Sequence, residues 1–282
     1  MKTLIVATDF SATAENAAVY AMGLAHTIHA KVLLLNVYQL PVNYVDIAMP
    51  FTIDDWEEQT ERAMTELKNK LLKITGKTVE VTTEVRMGGF LTELRMVCQQ
   101  EQPYAVVMGC NGSSVAERFF YGSHAINAMK NLEWPVITIP PGLSFHEVKK
   151  IGLACDLEET IMTVPADDIS RFVMDFNAAL YILYTSKEQV YNPEVVFASG
   201  QLGEKLEKCR PEFRFISGDT DQSLIDFAGK ENIDLLIVLP GKYRLLDAIV
   251  HKSHTRKLVL RSHIPVMAFH HHTQHVKTSQ QA

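Results

Sequence analysis

Residues 106–139 read VVMGCNGSSVAERFFYGSHAINAMKNLEWPVITI and form the most informative stretch of the chain. The apolar run Ala105–Met108 predicts a buried parallel strand. Gly109 and Gly112 follow it, and after nine more residues the pair Gly122-Ser123 stands where a helical pattern begins. Glycine lets the backbone approach an oxyanion without a Cβ in the way, and the first amide groups of a helix have no partner within the helix. This segment, which we call the glycine loop (residues 109–123), therefore predicts a phosphate-binding site.

The glycine spacing differs from two common nucleotide-binding motifs. It is not the GxxxxGK[ST] of a Walker loop, because no lysine stands where that motif needs one, and it is not GxGxxG. The spacing G-x2-G-x9-G-[ST] resembles the nucleotide loop of the universal stress protein family. Two other segments resemble the same family. Ala7-Thr8-Asp9-Phe10-Ser11 is similar to the end of its first strand, whose aspartate lies near the ribose, and Asn36-Val37-Tyr38 is similar to the position that holds the adenine.

The resemblance implies an adenine-nucleotide site, with ATP as the expected ligand and magnesium as its accompanying ion. It carries no catalytic residues over to this chain, and it leaves the ligands of a metal unknown. The residues that it implies for the nucleotide site are Ala7, Thr8, Asp9, Val37, Met108, Gly109, Gly112, Gly122 and Ser123.

Composition narrows the class of protein. The 282 residues are 47% hydrophobic and 21% charged, which is ordinary for a soluble globular protein. The net charge of −6 argues against a nucleic-acid-binding surface, which needs clustered Lys and Arg. No apolar run is long enough for a membrane-spanning helix. The four cysteines are widely spaced without a CxxC pair, which favours reduced thiols and a cytoplasmic location.

An internal repeat predicts two domains. Residues 104–139 align without a gap with residues 234–269, and Lys2–Asp9 has a counterpart in Lys149–Asp156. The linker 140–142, Pro-Pro-Gly, marks the boundary. The predicted domains are residues 1–144, with the glycine loop, and residues 145–272. A polar tail at 273–282 is predicted to be disordered. The histidine-rich segment 270–275 that leads into it is either solvated, which we favour, or an adventitious nickel or zinc ligand.

Apolar strands alternate with helical patterns in both copies. Such alternation predicts an α/β protein with two tandem doubly wound parallel five-stranded sheets. The fold is Rossmann-like, and the resemblance makes it adenine-nucleotide alpha-hydrolase-like. In the family that the chain resembles, the fifth strands pair antiparallel across a two-fold axis, and the resemblance implies the same pairing here between Val136–Ile139 and Val266–Phe269. An apolar edge strand with unpaired backbone groups also invites such pairing. The other predicted strands are 3–8, 31–37, 79–85, 105–108, 151–155, 179–184, 212–216 and 235–239, and the predicted first-half helices are 12–29, 54–75, 91–100 and 123–131.

Several candidate site residues have a structural alternative. Asp9 is either a ligand contact, which the strand end favours, or a cap of the following helix. Gly109 and Gly112 are turn glycines in isolation, and Ser123 caps its helix with or without a phosphate. Arg118 pairs with a phosphate or points into water, with nothing to choose between them.

The second copy departs from the glycine pattern. Leu239 stands in place of Gly109, and Lys242 and Lys252 stand in place of the other two loop glycines. These side chains occupy the space that a phosphate would need. The second loop is therefore predicted to be degenerate and to bind no nucleotide, although its lysines and Ser253 retain the means to attract an anion.

No catalytic constellation is evident in the sequence. There is no nucleophile elbow, no HExxH and no zinc spacing. The leading hypothesis is an ATP-binding sensor or regulator of the stress response that is not an efficient enzyme and has an unidentified protein partner. The alternatives are a slow ATPase or other adenine-nucleotide enzyme, and a nucleotide-free scaffold. A homodimer is also expected, with the apolar stripe of 56–72 as a candidate interface that its own sheet also needs.

Overall fold

Strands and helices alternate through the part of the chain that the computed structural model describes, residues 1–39, 53–110, 117–155, 157, 164–186, 193–218, 221–239 and 262–270. Only the backbone is described at 53–54, 117–123, 186 and 221. The predictions for Gly112, Lys242, Lys252, Ser253 and the tail 273–282 concern residues outside these ranges.

The described elements follow the predicted order in both halves. The first half contains β1 (Lys2–Ala7), α1 (Ala12–Ile28), β2 (Ala30–Tyr38), α2 (Ile53–Ile74), β3 (Val81–Met87), α3 (Phe90–Glu101), β4 (Ala105–Gly109), α4 (Glu117–Asn131) and β5 (Val136–Ile139). The second half contains β6 (Lys150–Ala154), α5 (Ala166–Asp175), β7 (Ala179–Ser186), α6 (Pro193–Lys205), a 3-10 turn (Glu207–Cys209), β8 (Glu212–Ser217), α7 (Asp221–Lys230), β9 (Leu235–Val238) and β10 (Val266–Ala268).

The two predicted sheets join into one. Its ten strands lie in the order β3-β2-β1-β4-β5-β10-β9-β6-β7-β8. Pairing is parallel within each half, and β5 pairs antiparallel with β10, which confirms the predicted junction. Ile137 lies opposite Met267, Val136 opposite Ala268, and Thr138 opposite Val266. Because the repeat offset relates Ile137 to Met267, a pseudo-two-fold axis passes through this pair.

The inner strands, such as β1, β4 and β9, are apolar and buried because helices cover both faces of the sheet, whereas the edge strands β3 and β8 carry charged residues. Leu4 and Val6 of β1 belong to a core cluster on the face covered by α1, α2, α5 and α6, which we call the α1-face core. Ile5 and Ala7 belong to a cluster on the face covered by α3, α4 and α7, the α3-face core. Both clusters contain residues of both halves, so the junction is continuous with the core on each face.

Side chains also join the halves beside the strand junction. Tyr104 stacks on Phe172 of α5 with ring centroids 5.9 Å apart, and its hydroxyl donates to Asp175 Oδ2 at 2.9 Å. Lys2 Nζ lies 2.6 Å from Asp175 Oδ1. At a second point, Phe145, which lies between β5 and β6, packs edge-on against Tyr20 of α1.

One helix boundary differs from the prediction by a full turn and more. A helix was expected from Ser123, whereas α4 begins at Glu117. The sequence ERFFYGS contains no proline, and a glycine inside a helix costs only about 1 kcal/mol relative to alanine, so nothing stops the helix from extending towards its N-terminus. The Gly122-Ser123 pair therefore lies inside α4, and the first free amides of the helix belong to residues before it.

Candidate functional site

The carboxyl ends of β1 and β4 meet where the strand order of the first half reverses. From β1 the chain proceeds outward to β2 and β3, and then returns to the other side of β1 with β4 and β5. Ala7 and Met108 face each other across this point as register partners. In open α/β sheets ligands bind at such a switch point, outside the carboxyl ends of the strands. The expected site therefore falls at the switch point of the first half.

The turn after β1 fixes the backbone that leads into α1. Thr8 is buried, its N–H donates to the Leu35 carbonyl at 2.9 Å, and its Oγ1 accepts from the Phe10 N–H at 3.1 Å. The Asp9 carboxylate accepts from the Ser11 N–H at 2.9 Å. Phe10 adopts a left-handed conformation, with φ of 63°. This turn leaves Asp9 exposed at the strand end.

Ser11, and not Asp9, caps α1. The Ser11 Oγ accepts from the Ala14 N–H at 3.2 Å, and the Ser11 backbone is extended, as at an N-cap. The alternative in which Asp9 caps this helix is therefore wrong. Asp9 holds the preceding turn with Oδ1, an arrangement typical of Asx turns. Its contact with a ligand stays a prediction.

The end of β2 lies against the same turn. The buried Asn36 donates from Nδ2 to the Thr8 carbonyl at 2.8 Å, and its Oδ1 has no hydrogen-bond partner among the described residues. Val37 is half-buried and packs on the α3-face core, which also contains Ala7 and Met108. Three predicted site residues from three strands therefore share one face of the sheet. In the sequence, Asn36 belongs to the segment that resembles the adenine position, but no spacing there predicts the hydrogen bond of its amide.

Gly109 has a structural role that its sequence context does not reveal. A Cβ at this position would lie 2.7 Å from the Thr13 carbonyl oxygen and 2.9 Å from Thr13 Cγ2. Only glycine lets the first turn of α1 pack this closely on the end of β4. The following Cys110 is buried, and its N–H donates to the Ile139 carbonyl at 3.0 Å. Burial raises the pKa of the Cys110 thiol to about 12, which makes it a poor nucleophile.

The far end of the glycine loop lies in α4. Gly122 and Ser123 are helical, and the side chain of Ser123 lies outside the description. The next residue, His124, contacts Phe90 at the start of α3, with ring centroids 4.7 Å apart. This ring contact joins α3 to α4 and was not predicted, because no spacing in the sequence relates the two residues.

The second half repeats the switch point without a glycine at the position of Gly109. Ala154 and Val238 are register partners, as Ala7 and Met108 are in the first half. The Cys155 N–H donates to the Leu183 carbonyl at 3.2 Å, as the Thr8 N–H donates to Leu35. Leu239 packs its side chain on the α1-face core at the position of Gly109. Asp156, the counterpart of Asp9, lies outside the described residues.

The described residues contain neither a metal-binding group of side chains nor a membrane-spanning helix. Within the described ranges, no three His, Cys, Asp or Glu side chains come together as a metal-binding group. Among the same residues, no helix has the length and apolar character needed to cross a membrane.

Comparisons with known proteins agree with this architecture. The universal stress protein family model matches residues 1–140. No curated protein matches the chain significantly. A universal stress protein from Archaeoglobus fulgidus DSM 4304 is 15% identical over 96% of this chain and 97% of its own, with a TM-score of 0.70. A protein from Pseudomonas aeruginosa UCBPP-PA14 that is assigned to the same family is 11% identical over 96% of this chain and 93% of its own, with a TM-score of 0.59.

These identities show a common fold and no more. Another solved relative, a universal stress protein family protein from Arabidopsis thaliana with AMP bound, is 18% identical. It covers 50% of this chain and 93% of its own, with a TM-score of 0.35.

Proposed function

We propose that the first half of this chain binds ATP, and we start from the premise that the chain belongs to the universal stress protein family through residues 1–140. The protein then acts as a nucleotide-dependent sensor or regulator in the stress response. The observation that carries the proposal is the convergence at the switch point. Ala7, Val37 and Met108 lie on one face of the sheet at the carboxyl ends of three neighbouring strands, beside the exposed Asp9.

Each part of the nucleotide finds a chemically suitable group in this arrangement. The half-buried Val37 offers an apolar surface for the adenine, and the exposed Asp9 carboxylate offers acceptors for the ribose hydroxyls. Backbone amides of the glycine loop are the proposed phosphate donors, since backbone N–H groups near a helix start favour anions. Magnesium would accompany the triphosphate and partly neutralise its charge, with Asp9 as its candidate protein contact.

The second half is proposed to bind no nucleotide. Leu239 is the counterpart of Gly109, the residue at which α1 and β4 come close together in the first half. Its side chain packs on the α1-face core. The lysines aligned with the other loop glycines add further side chains where the phosphates would lie. The protein therefore binds a single ATP.

Calorimetric titration of the full chain with ATP and magnesium tests this function. We expect one site per chain and loss of binding in Gly122→Val, because the family resemblance implies that this glycine lies beside the phosphates, where a branched side chain would take their space. Gly229→Val is the matched control: it also lies in a helix, and an added Cβ there meets nothing within 4 Å. Two equivalent sites, or none, would contradict the proposal, as would unchanged affinity in a folded Gly122→Val protein.

We favour a regulator over an ATPase because no described residue of the site is assigned to orient an attacking water. Hydrolysis needs an oriented water and stabilisation of charge on the transferred phosphoryl group. Backbone donors bind the ground state and the transition state about equally, which gives affinity without rate. We expect phosphate release below about one turnover per hour. Release at several turnovers per minute that Asp9→Ala abolishes would identify a slow ATPase, and absence of ATP binding would favour a scaffold.

The cytoplasm is the proposed location. All four cysteines lie in the described ranges as thiols outside any disulfide, and Cys98, Cys110 and Cys155 are buried in the core. Such thiols suit a reducing compartment, in which disulfides are rare. Secretion of the native protein into an oxidising compartment would contradict this assignment.

A further inference from the structure

The outer edge of the second half exposes aromatic side chains. Among the strands that the structure describes, β8 is the last of the sheet, and its one neighbour there is β7. Phe213 and Phe215 of β8 are 37% and 47% exposed. Successive side chains alternate between the two faces of a strand, so these phenyl rings lie on the same face. An edge strand with exposed apolar side chains offers both unpaired backbone groups and apolar area to another strand.

The opposite edge of the sheet is a natural reference. The register places Glu212 beside Tyr181 of β7, and places Thr82 beside Leu33 of β2. The residue after β1, Thr8, donates to the Leu35 carbonyl, and the residue after β6, Cys155, donates to the Leu183 carbonyl, so Leu35 and Leu183 occupy equivalent positions. This equivalence aligns the β3 edge with the β8 edge. Thr83 and Val85 in β3 then correspond to Phe213 and Phe215 in β8. The two edges thus occupy equivalent places, but only the β8 edge presents phenyl rings.

The helix beside this edge leaves room along it. Gly203 of α6 faces Phe213, since a Cβ on Gly203 would lie 3.7 Å from the ring. One turn earlier, a Cβ on Gly200 would meet nothing within 4 Å, and Val196 a further turn away is 53% exposed. Residues three and four apart share one face of a helix, so these three positions form a stripe beside the strand edge.

We propose that β8 pairs antiparallel with β8 of a second copy of this chain, and that the two-fold axis passes through Phe213. In this register Glu212 lies opposite Arg214 of the second copy, and the reverse pair forms on the other side of the axis. Opposite charges on facing residues stabilise an antiparallel pair, whereas like charges destabilise it. A register centred on Arg214 places two guanidinium groups opposite each other, and one centred on Phe215 places Arg214 opposite the apolar Ile216. Charge therefore selects the register, and a second copy is its complement.

The chain already contains one junction of this kind. β5 and β10 are the edge strands of their halves, and they pair antiparallel about a pseudo-two-fold axis. The proposed β8 pair repeats that arrangement between chains, with the phenyl rings and the open α6 stripe brought together across the axis. The same faces of both copies are used, so the contact closes as a dimer and does not propagate.

Charge-reversal variants of the full chain test the pairing by sedimentation equilibrium. The wild type is expected to be a dimer at micromolar concentration. Arg214→Glu and Glu212→Arg, each alone, are expected to weaken dimerisation roughly tenfold or more, since each places like charges opposite one another twice. An equimolar mixture of the two variants is expected to restore a dimer that contains one chain of each. Circular dichroism checks that every variant is folded.

Arg86→Glu is the matched control at the other edge. Arg86 pairs with Glu84 two residues away in β3, as Arg214 pairs with Glu212 in β8. Loss of that local ion pair is expected to leave the dimer intact. A monomeric wild type, a dimer that survives Arg214→Glu, a dimer lost in Arg86→Glu, or variants that fail to combine on mixing would each overturn the proposal. None of these outcomes depends on whether the first half binds ATP.

Discussion

Gly109, at the switch point, has both a packing role and a proposed role in the ligand site. Gly109 was singled out for the space that it leaves a phosphate, but the space at its own Cβ is already taken by the Thr13 carbonyl. The glycine is therefore required by the contact of α1 with β4 whether or not a nucleotide is present. The backbone that is proposed to contact the nucleotide at this position is held in place by the helix–strand contact.

Gly109→Ala tests the packing role. A Cβ placed 2.7 Å from backbone atoms forces α1 or β4 to move, so we expect a loss of about 1–3 kcal/mol in the free energy of unfolding. Gly229→Ala is the control, because its Cβ meets nothing within 4 Å and alanine favours a helix. Urea unfolding measures both. Equal stability of Gly109→Ala and wild type would show that the contact yields without strain.

Two tyrosines, the buried Tyr20 and the half-buried Tyr104, predict different effects of removing a hydroxyl. The Tyr104 hydroxyl donates to Asp175, whereas the Tyr20 hydroxyl is buried with no partner among the described residues. We expect Tyr104→Phe to lose about 1–3 kcal/mol of stability, and Tyr20→Phe to lose nothing or to gain stability. Thermal and urea unfolding of the pair provide the measurement. A larger loss in Tyr20→Phe would mean that its hydroxyl is satisfied.

The pH dependence of stability follows from the same hydroxyl. Burial, and then the hydrogen bond to Asp175, raise the pKa of Tyr104 in the folded protein. A tyrosine in the unfolded chain titrates near pH 10, roughly. The stabilisation by Tyr104 is therefore complete below about pH 10 and is lost as the pH rises further. Tyr104→Phe should flatten this alkaline decline, and an unchanged slope would assign it to other groups.

At the scale of elements, the repeat and the apolar periodicity predicted the order of strands and helices, and the family resemblance predicted the antiparallel junction. The constant offset between the copies relates Ile137 to Met267, the pair on the axis. Tertiary contacts explain what remained hidden. Two such contacts are the close approach of Gly109 to Thr13 and the ring contact of Phe90 with His124. Each joins two elements that no local spacing in the sequence relates.

The start of α4 shows the limit of local signals. Gly122-Ser123 resembles a helix entrance in the sequence, yet the helix begins at Glu117 because the preceding residues also favour it. The apolar stripe of α2 is a second case. Met64, Leu67 and Leu71 are buried against the chain's own sheet, so they are not free for a dimer contact. The expected homodimer stays a prediction, and the β8 edge is a better candidate for its interface.

At the scale of the whole molecule, the two halves share their core. The α1-face core contains Leu4 and Ile139 of the first half together with Phe172 and Phe269 of the second. Phe172 contacts Tyr104 across the junction and Phe269 within its own half. A duplicated chain could unfold as two independent units, but a shared core predicts that neither half keeps its full stability when the other is damaged.

The tryptophans make this coupling measurable, because Trp56 and Trp134 both belong to the first half. Trp134 is buried, so its fluorescence reports unfolding of the first half, whereas far-ultraviolet circular dichroism reports both. We expect the two signals to change in one coincident urea transition. Phe172→Ala removes a buried ring from the second half, and the cost of such a change is about 3–5 kcal/mol. Because that ring packs on Tyr104, the variant should move the tryptophan transition to lower urea. A tryptophan transition that stays in place while the circular dichroism splits into two steps would mean that the halves fold independently.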